Sequence, residues 1–253
     1  MRSWFAAFGA IFALAVALPA CAADPDALWN IVGGQCVPSQ QAKQDPSPCV
    51  SVDLAGGYAV LKDQSGATQV LVIPTTRVTG IESPALLDAA APNYWADAWN
   101  ARHDVEQYAH REIPREDLAL AVNSVYGRSQ DQLHIHVDCI RPEVRDALDT
   151  VMDRIGPKWS RLDVSLAGHR YQAMRIAGED LGETNPFKLL AEGDPTARAN
   201  MGLETLVLAG AVFADGSPGF VLLSDRADPS THDPASGESL MDHGCQVLRP
   251  AGG

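Results

Sequence analysis

Residues 132–138, Gln-Leu-His-Ile-His-Val-Asp, alternate polar and apolar side chains without a break. A period of two predicts a strand with Gln132, His134, His136 and Asp138 on one face and Leu133, Ile135 and Val137 on the other. One face suits chemistry and the other a core. The two imidazoles sit about 6–7 Å apart along such a strand, close enough to share one phosphate or one metal ion.

Weaker patterns surround this segment. Residues 28–32 read as a short helix, followed by an irregular stretch from Cys36 to Cys49 in which Pro46-Ser47-Pro48 forbids regular structure. Residues 58–62 and 69–73 are β-rich runs joined by Asp63-Gln64-Ser65-Gly66, a hairpin that Pro74 closes. Tyr94, Ala98, Ala101 and Val105 recur at helical spacing, as do Trp95 and Trp99, which predicts one long helix over 93–111. A strand over 118–122, a polar loop over 123–131, the histidine strand over 133–139 and a helix over 142–155, ended by Gly156-Pro157, follow. The second half is similar at lower contrast: strand 170–176, helix 186–201, and a hairpin from 203–213 and 220–224. It invites the idea of a degenerate duplication, although no second His-x-His occurs in it. Residues 225–244 are rich in Asp, Ser, Pro and Gly and read as an irregular tail.

The N-terminus has a different character. After Met1-Arg2-Ser3 no charge occurs from Trp4 to Cys21, and small residues follow. Residues 1–23 therefore read as a secretory leader, with Cys21 a lipidation candidate, or as an uncleaved anchor. Each reading puts the domain, residues 24–253, outside the cytosol. A hydrophobic share of 46% supports a sizeable core, and a formal charge of -13 argues against nucleic acid and against electrostatic binding to anionic headgroups. Membrane contact is left to the N-terminus or to an apolar mouth.

Beyond Cys21 the chain holds Cys36, Cys49, Cys139 and Cys245, an even set suited to an oxidising compartment. Three pairings are open. Cys36 with Cys49 would close a short loop, and Cys139 with Cys245 would pin the tail beside the histidine strand. No C-x-x-C spacing supports a cysteine metal site.

A neutral imidazole attacks phosphorus well and leaves well, so it can divide cleavage of a phosphoanhydride into two easier steps. Such a reaction needs donors around the phosphoryl oxygens. Asn123, the backbone at Gly127, Arg128 and Ser129 supply them just ahead of the strand.

At these residues the chain resembles the histidine-triad superfamily, whose signature is three histidines alternating with apolar residues on a strand. Gln132 stands at the first position, and His134 and His136 at the middle and last. The resemblance implies that His134 is the nucleophile. Gly127 and Ser129 fall where the superfamily has Gly and Ser, with Arg128 in place of the usual Gln; Gln69 replaces an earlier histidine. A narrower resemblance runs in order along the exported chain. Pro46-Ser47-Pro48-Cys49, Tyr58-Ala59-Val60-Leu61-Lys62-Asp63, Pro74-Thr75-Thr76-Arg77, Glu82-Ser83-Pro84, Asn123-Ser124, Gly127-Arg128-Ser129-Gln130, Cys139-Ile140-Arg141-Pro142 and Gly168-His169-Arg170-Tyr171 are similar to the bacterial CDP-diacylglycerol pyrophosphatase family.

That resemblance implies an α+β fold of histidine-triad type, an antiparallel sheet with helices packed on it. It further implies hydrolysis of CDP-diacylglycerol to CMP and phosphatidate on the outer side of the inner membrane, without cofactor or metal. His134 would attack the phosphorus next to cytidine. His136 and Gln132 would hydrogen-bond its oxygens, and Asn123, Ser129 and the Gly127 loop would hold the charge. Arg128 would bind the distal phosphate, with Lys62, Arg77 and Gln69 as further substrate contacts.

Two other classes are compatible with the residues. His134-Ile135-His136-Val137-Asp138 matches the start of the H-x-H-x-D-H metal motif of metallo-β-lactamase folds, but Cys139 stands where the next histidine belongs. A binding protein for a nucleotide or lipid headgroup would explain the missing triad histidines. His169 is read as structural, and His103, His110, His232 and His243, in polar contexts, receive no role.

Overall fold

The computed structural model describes residues 24–248, so the apolar run read as leader or anchor lies outside the described residues. Among the described residues no helix is long and apolar enough to cross a membrane. Helix α1 (Ala27–Ile31) continues through a wide π-helical turn, Val32–Cys36, into α2 (Val37–Lys43). The irregular stretch expected from Cys36 thus begins only at Gln44, where φ of 56° ends the helix. The wide turn precedes Pro38, whose missing N–H a regular ladder would leave as a defect.

Three strands follow, β1 (Ser51–Asp53), β2 (Tyr58–Lys62) and β3 (Val70–Pro74). Pro74 is the last residue of β3, so the strand stops there as its sequence predicts, with Pro74 itself still paired. It pairs with Tyr58 of β2, while the other neighbour of β3 pairs only as far as Val72, so no ladder bond is asked of the missing N–H. Helices α3 (Tyr94–Asn100) and α4 (Arg102–Ala109) replace the single helix expected there, with a break at Ala101. Strands β4 (Leu118–Val122) and β5 (Ile135–Cys139) precede α5 (Pro142–Asp149). That helix is a turn and a half shorter than its sequence pattern, and just past its end the Thr150 hydroxyl bonds the Ala147 carbonyl at 2.7 Å.

The second half comprises β6 (Ser160–Arg161), β7 (Gln172–Ala177), α6 (Pro186–Gly193), α7 (Pro195–Ala199), β8 (Glu204–Val212) and β9 (Pro218–Arg226). Pro195 pushes Asp194 out of the helical region, and the Asp194 carboxylate then caps α7 through the Thr196 and Ala197 amides, which splits the expected helix in two.

All nine strands form one sheet in the order β1-β2-β3-β5-β4-β8-β9-β7-β6, and each neighbouring pair is antiparallel. The α+β reading holds. The path β2-β3-β5-β4, with α3 and α4 between β3 and β4, has the same course as β6-β7-β9-β8, with α6 and α7 between β7 and β8. The two courses meet where β4 pairs with β8.

One face of the sheet packs continuously under α3, α4, α6 and α7, with Trp95, Trp99, Phe187 and Phe220 among its buried side chains. Trp95 meets Phe187 edge-on at 5.5 Å and Trp99 meets Phe220 at 4.8 Å, each contact contributing about 1 kcal/mol beyond area burial. The other face carries two separate covers. The N-terminal helices pack on Ala59, Leu61, Leu71 and Ile73 at one end. Helix α5 and its neighbours pack on Ala119, Ala121, Val207, Val221 and Leu223 at the other. His136 pairs with Leu71 on one side and Ala121 on the other, so the histidine face of β5 occupies the notch between the covers.

Two disulfides brace this notch, Cys36–Cys49 beneath the N-terminal helices and Cys139–Cys245 between β5 and the tail.

Candidate active site

His134 and His136 floor a cavity of about 810 Å³ whose walls include Leu28, Ile31, Leu61, Leu71, Lys62, Asn123, Tyr126, Gly127, Arg128, Ser129 and Glu238. The two rings meet edge to face with centroids 4.8 Å apart. His134 Nδ1 lies 2.7 Å from the Gln132 carbonyl oxygen. A carbonyl only accepts, so Nδ1 carries the proton and Nε2 keeps its lone pair. Burial, reinforced by His136, pushes the His134 pKa down to about 4, so the ring is neutral at physiological pH.

The tautomer of His136 follows from its neighbours. Gln69 Nε2 lies 2.5 Å from Asp63 Oδ2 and 3.1 Å from His136 Nδ1. The Asp63 carboxylate accepts only, which turns the amide nitrogen toward it and makes His136 Nδ1 the acceptor of the second amide hydrogen. The ring proton is then on Nε2, which is buried and has no partner among the described residues. Burial also pushes His136 down to about 4. The floor therefore presents one lone pair, on His134, beside one N–H donor, on His136. That is a matched pair for attacking phosphorus and holding its oxygen.

Gln132 is not part of this floor. Its amide donates to the Pro74 and Thr76 carbonyls at 3.0 and 2.9 Å and accepts from the Val78 N–H at 3.3 Å. Both amide hydrogens are committed, and the side chain clamps β5 to the chain beyond β3 instead of facing a phosphate. Arg77 is likewise displaced from its expected role. It pairs with Asp26, lies over the Trp29 ring at 5.7 Å and is absent from the cavity wall. Gln69 acts from beneath, through His136.

The loop after β4 is built as expected, with different partners. Gly127 donates its N–H to Ser124 and lies so close to the tail that a Cβ would come within 3.1 Å of the Pro234 carbonyl oxygen. Arg128 is gripped by Glu82 through both terminal nitrogens at 2.6 and 2.8 Å. Burial opposes its charge, and the Glu82 pair outweighs burial and raises its pKa. Ser129 lines the cavity. The Lys62 ammonium, at the rim, donates to the Asp63 and Gly66 carbonyls at 2.7 and 3.1 Å.

Asn123 contacts a residue the sequence gave no reason to single out. Its Nδ2 donates to Glu238 Oε2 at 2.8 Å, and its Oδ1 accepts the Gly237 N–H at 2.8 Å. Glu238 Oε1 lies 3.3 Å from His136 Nδ1 and 3.9 Å from His243 Nε2. His243, given no role from its polar context, is half-buried against Asp138, whose carboxylate at 3.0 Å raises its pKa. The possible Cys139–Cys245 pairing was the one clue that these tail residues lie beside β5.

Other candidates fall elsewhere. His169 pairs with Asp225 and Asp233 at 3.1 and 3.4 Å, away from the cavity. Among the described residues the one close grouping of three potential metal donors is Asp138 with Cys139 and Cys245, and both sulfurs are in the disulfide. That grouping includes neither His134 nor His136.

The fold and this floor define a disulfide-bonded α+β protein with a neutral histidine pair opened to a donor-lined cavity. The chain matches the family CDH: CDP-diacylglycerol pyrophosphatase over residues 23–249, and it belongs to that family. It is 45% identical over 225 residues to a CDP-diacylglycerol pyrophosphatase of Yersinia pestis, an alignment covering 89% of this chain and 86% of the relative.

Proposed function

We propose that this protein hydrolyses the phosphoanhydride of CDP-diacylglycerol to CMP and phosphatidate, with His134 as nucleophile. The observation that carries the mechanism is the Gln132 carbonyl held at 2.7 Å from His134 Nδ1, which leaves Nε2 free to attack. Nε2 attacks the phosphorus next to cytidine, and the bond to the bridging oxygen breaks as phosphatidate leaves. Water then displaces His134 and frees CMP. His136 Nε2–H and the Gly127–Ser129 loop hold the phosphoryl oxygens, and Arg128 and Lys62 lie on the walls where a second phosphate would sit. No step calls for a metal.

The fold supports a histidine-triad architecture duplicated within one chain. In the second half β9 lies between β7 and β8 as β5 lies between β3 and β4. On the corresponding face β9 carries Val221 and Leu223, buried with α5. One half of the duplicated sheet keeps the chemistry, and the other is sealed.

The acyl chains have a neighbouring surface. Tyr126, on the cavity wall, also lines an adjoining groove with Pro84, Leu87, Val125, Met201 and Leu203. Val125 and Tyr126 are 41% and 55% exposed, unusual for large apolar side chains beside a catalytic loop. We assign this groove to the lipid tails and to contact with the bilayer. The disulfides and the apolar N-terminus support an exported protein on the outer side of the inner membrane.

The test is CMP release from CDP-diacylglycerol in detergent with chelator present, for the native chain and for His134→Ala. Turnover by the first and a fall of on the order of 10⁴-fold or more for the second is expected, with net retention at phosphorus from two inversions. Loss on adding chelator would return both histidines to the role of metal ligands, and absence of turnover would favour a binding role.

A further inference from the structure

Glu238 has no role in the scheme above, yet it is the carboxylate set closest to the reacting imidazoles. Its backbone is pressed onto the sheet. Gly237 donates to Asn123 and packs so closely that a Cβ would stand 2.9 Å from a Val207 methyl and 3.1 Å from the Ala121 Cβ. Its carboxylate is steered by Asn123 on one oxygen and faces His136 and His243 with the other. Its side chain keeps about a third of its surface open to the cavity.

The His136 side of this contact is informative. Because Gln69 donates to Nδ1, that nitrogen holds a lone pair, and at 3.3 Å it faces a carboxylate oxygen that also holds only lone pairs. Two acceptors at that distance repel weakly until one gains a proton. The single Nδ1 lone pair is already engaged by Gln69, so His136 offers this oxygen no donor, and Glu238 Oε1 keeps its lone pairs for a donor in the cavity. His243 Nε2 lies 3.9 Å from the same oxygen, and Asp138 holds the other nitrogen of that ring.

We infer that Glu238 is the general base for the hydrolytic half of the reaction, an inference that rests on the histidine-nucleophile reading. After phosphatidate leaves, the cytidylyl phosphorus is bonded to His134 Nε2. Water enters from the open side of the cavity and its oxygen bonds to phosphorus. One water proton passes to Glu238, and the P–N bond breaks with its electron pair returning to Nε2. His134 is again neutral with its proton on Nδ1. Glu238 then gives its proton to solvent across its exposed edge, about a third of the side chain. A carboxylate in this place has no use in the first half-reaction, where the attacking nitrogen carries no proton to remove.

The experiment is a rapid-quench time course with CDP-diacylglycerol labelled in cytidine, stopped in alkali, where a phosphohistidine bond survives. The native chain, Glu238→Gln, Glu238→Asp and His134→Ala are compared. Glu238→Gln should release phosphatidate in a fast first turnover, accumulate close to one labelled cytidylyl group per chain, and release CMP 10²–10⁴-fold more slowly than the native chain. Glu238→Asp should recover part of the rate with less adduct, and His134→Ala should carry no label. The accumulation itself shows that the variant is folded and competent in the first half. A Glu238→Gln chain that turns over at the native rate, or in which phosphatidate release slows as much as CMP release with no adduct, overturns the inference while His134 labelling in the native chain stands. No label in any chain, with inversion at phosphorus, overturns the nucleophile and this role together.

Discussion

The ring of His134 is tied to its own strand, because its Nδ1 donates to the carbonyl oxygen of Gln132, two residues earlier. One backbone bond therefore fixes both the tautomer and the direction of Nε2. Gln132, which stands where the triad pattern has its first histidine, serves through its main chain and through an amide fully engaged with Pro74, Thr76 and Val78.

Both floor imidazoles have pKa values pushed to about 4, by burial first. The groups facing them are Asp63, Gln69, Arg128, Glu238 and His243. The proposed mechanism needs the neutral rings, so on that reading kcat/KM should stay level on the acid side of neutrality and fall only as pH drops through about 4. Stability should move earlier. Unfolded histidines take up protons near 6.5 and the folded rings do not, so unfolding free energy should decline as pH falls from about 6.5 to about 4, by about 1.4 kcal/mol per pH unit for each ring. Urea titrations of the native chain and of His134→Asn across that window would check the slope.

Glu82 neutralises Arg128 on the cavity wall. Removing it by Glu82→Ala leaves a buried guanidinium without its main partner, with Asp131 a distant second. Because Glu82 is only half-buried, the cost should be about 2 kcal/mol, below that of a fully dry pair. The Arg128→Met, Glu82→Leu double variant should recover much of that stability while substrate affinity remains poor. Denaturation together with KM measurements separates the two effects.

Breaking Cys139–Cys245 releases a closed loop of 106 residues in sequence separation, for which chain entropy predicts about 4–5 kcal/mol. The segment freed contains Glu238 and His243. A Cys139→Ala, Cys245→Ala chain should lose turnover even at temperatures where circular dichroism shows it folded. Breaking Cys36–Cys49, with separation 13, should cost less and should act through the cavity wall at Leu28 and Ile31.

For the groove, Tyr126→Asp and Leu87→Asp should lower kcat/KM on CDP-diacylglycerol about tenfold or more while leaving hydrolysis of a water-soluble CDP ester unchanged. An equal loss on both substrates would remove the groove from lipid binding. Tyr126 is exposed, so the melting temperature of its variant should not move.

Two signals made the first-half strands legible: polar and apolar positions alternate through Ile135 to Cys139, while Leu118 to Val122 is a short, wholly apolar run buried on both faces. Helix lengths were not, since a pattern of apolar spacing runs through Ala101 and through Asp194-Pro195 without revealing the break. The histidines and the Gly127 loop were visible as local sequence. Glu238 was not, because its place depends on a chain return of about a hundred residues and on Asn123, which looked like a phosphate ligand. Gln132 misled for the opposite reason: strand alternation gives a face but not the hydrogen bonds that already occupy a side chain there.

The tether at Cys245 also divides the work of holding the tail between covalent and noncovalent bonds. A newly made chain with reduced thiols would hold its histidines in the sheet and keep the tail carboxylate beside them only through the Asn123 bonds and the Ile140–Met241 bridge, and oxidation would add the covalent tie. The same few bonds that place the carboxylate are therefore the ones a covalent tie at Cys245 spares from bearing the whole length of the tail.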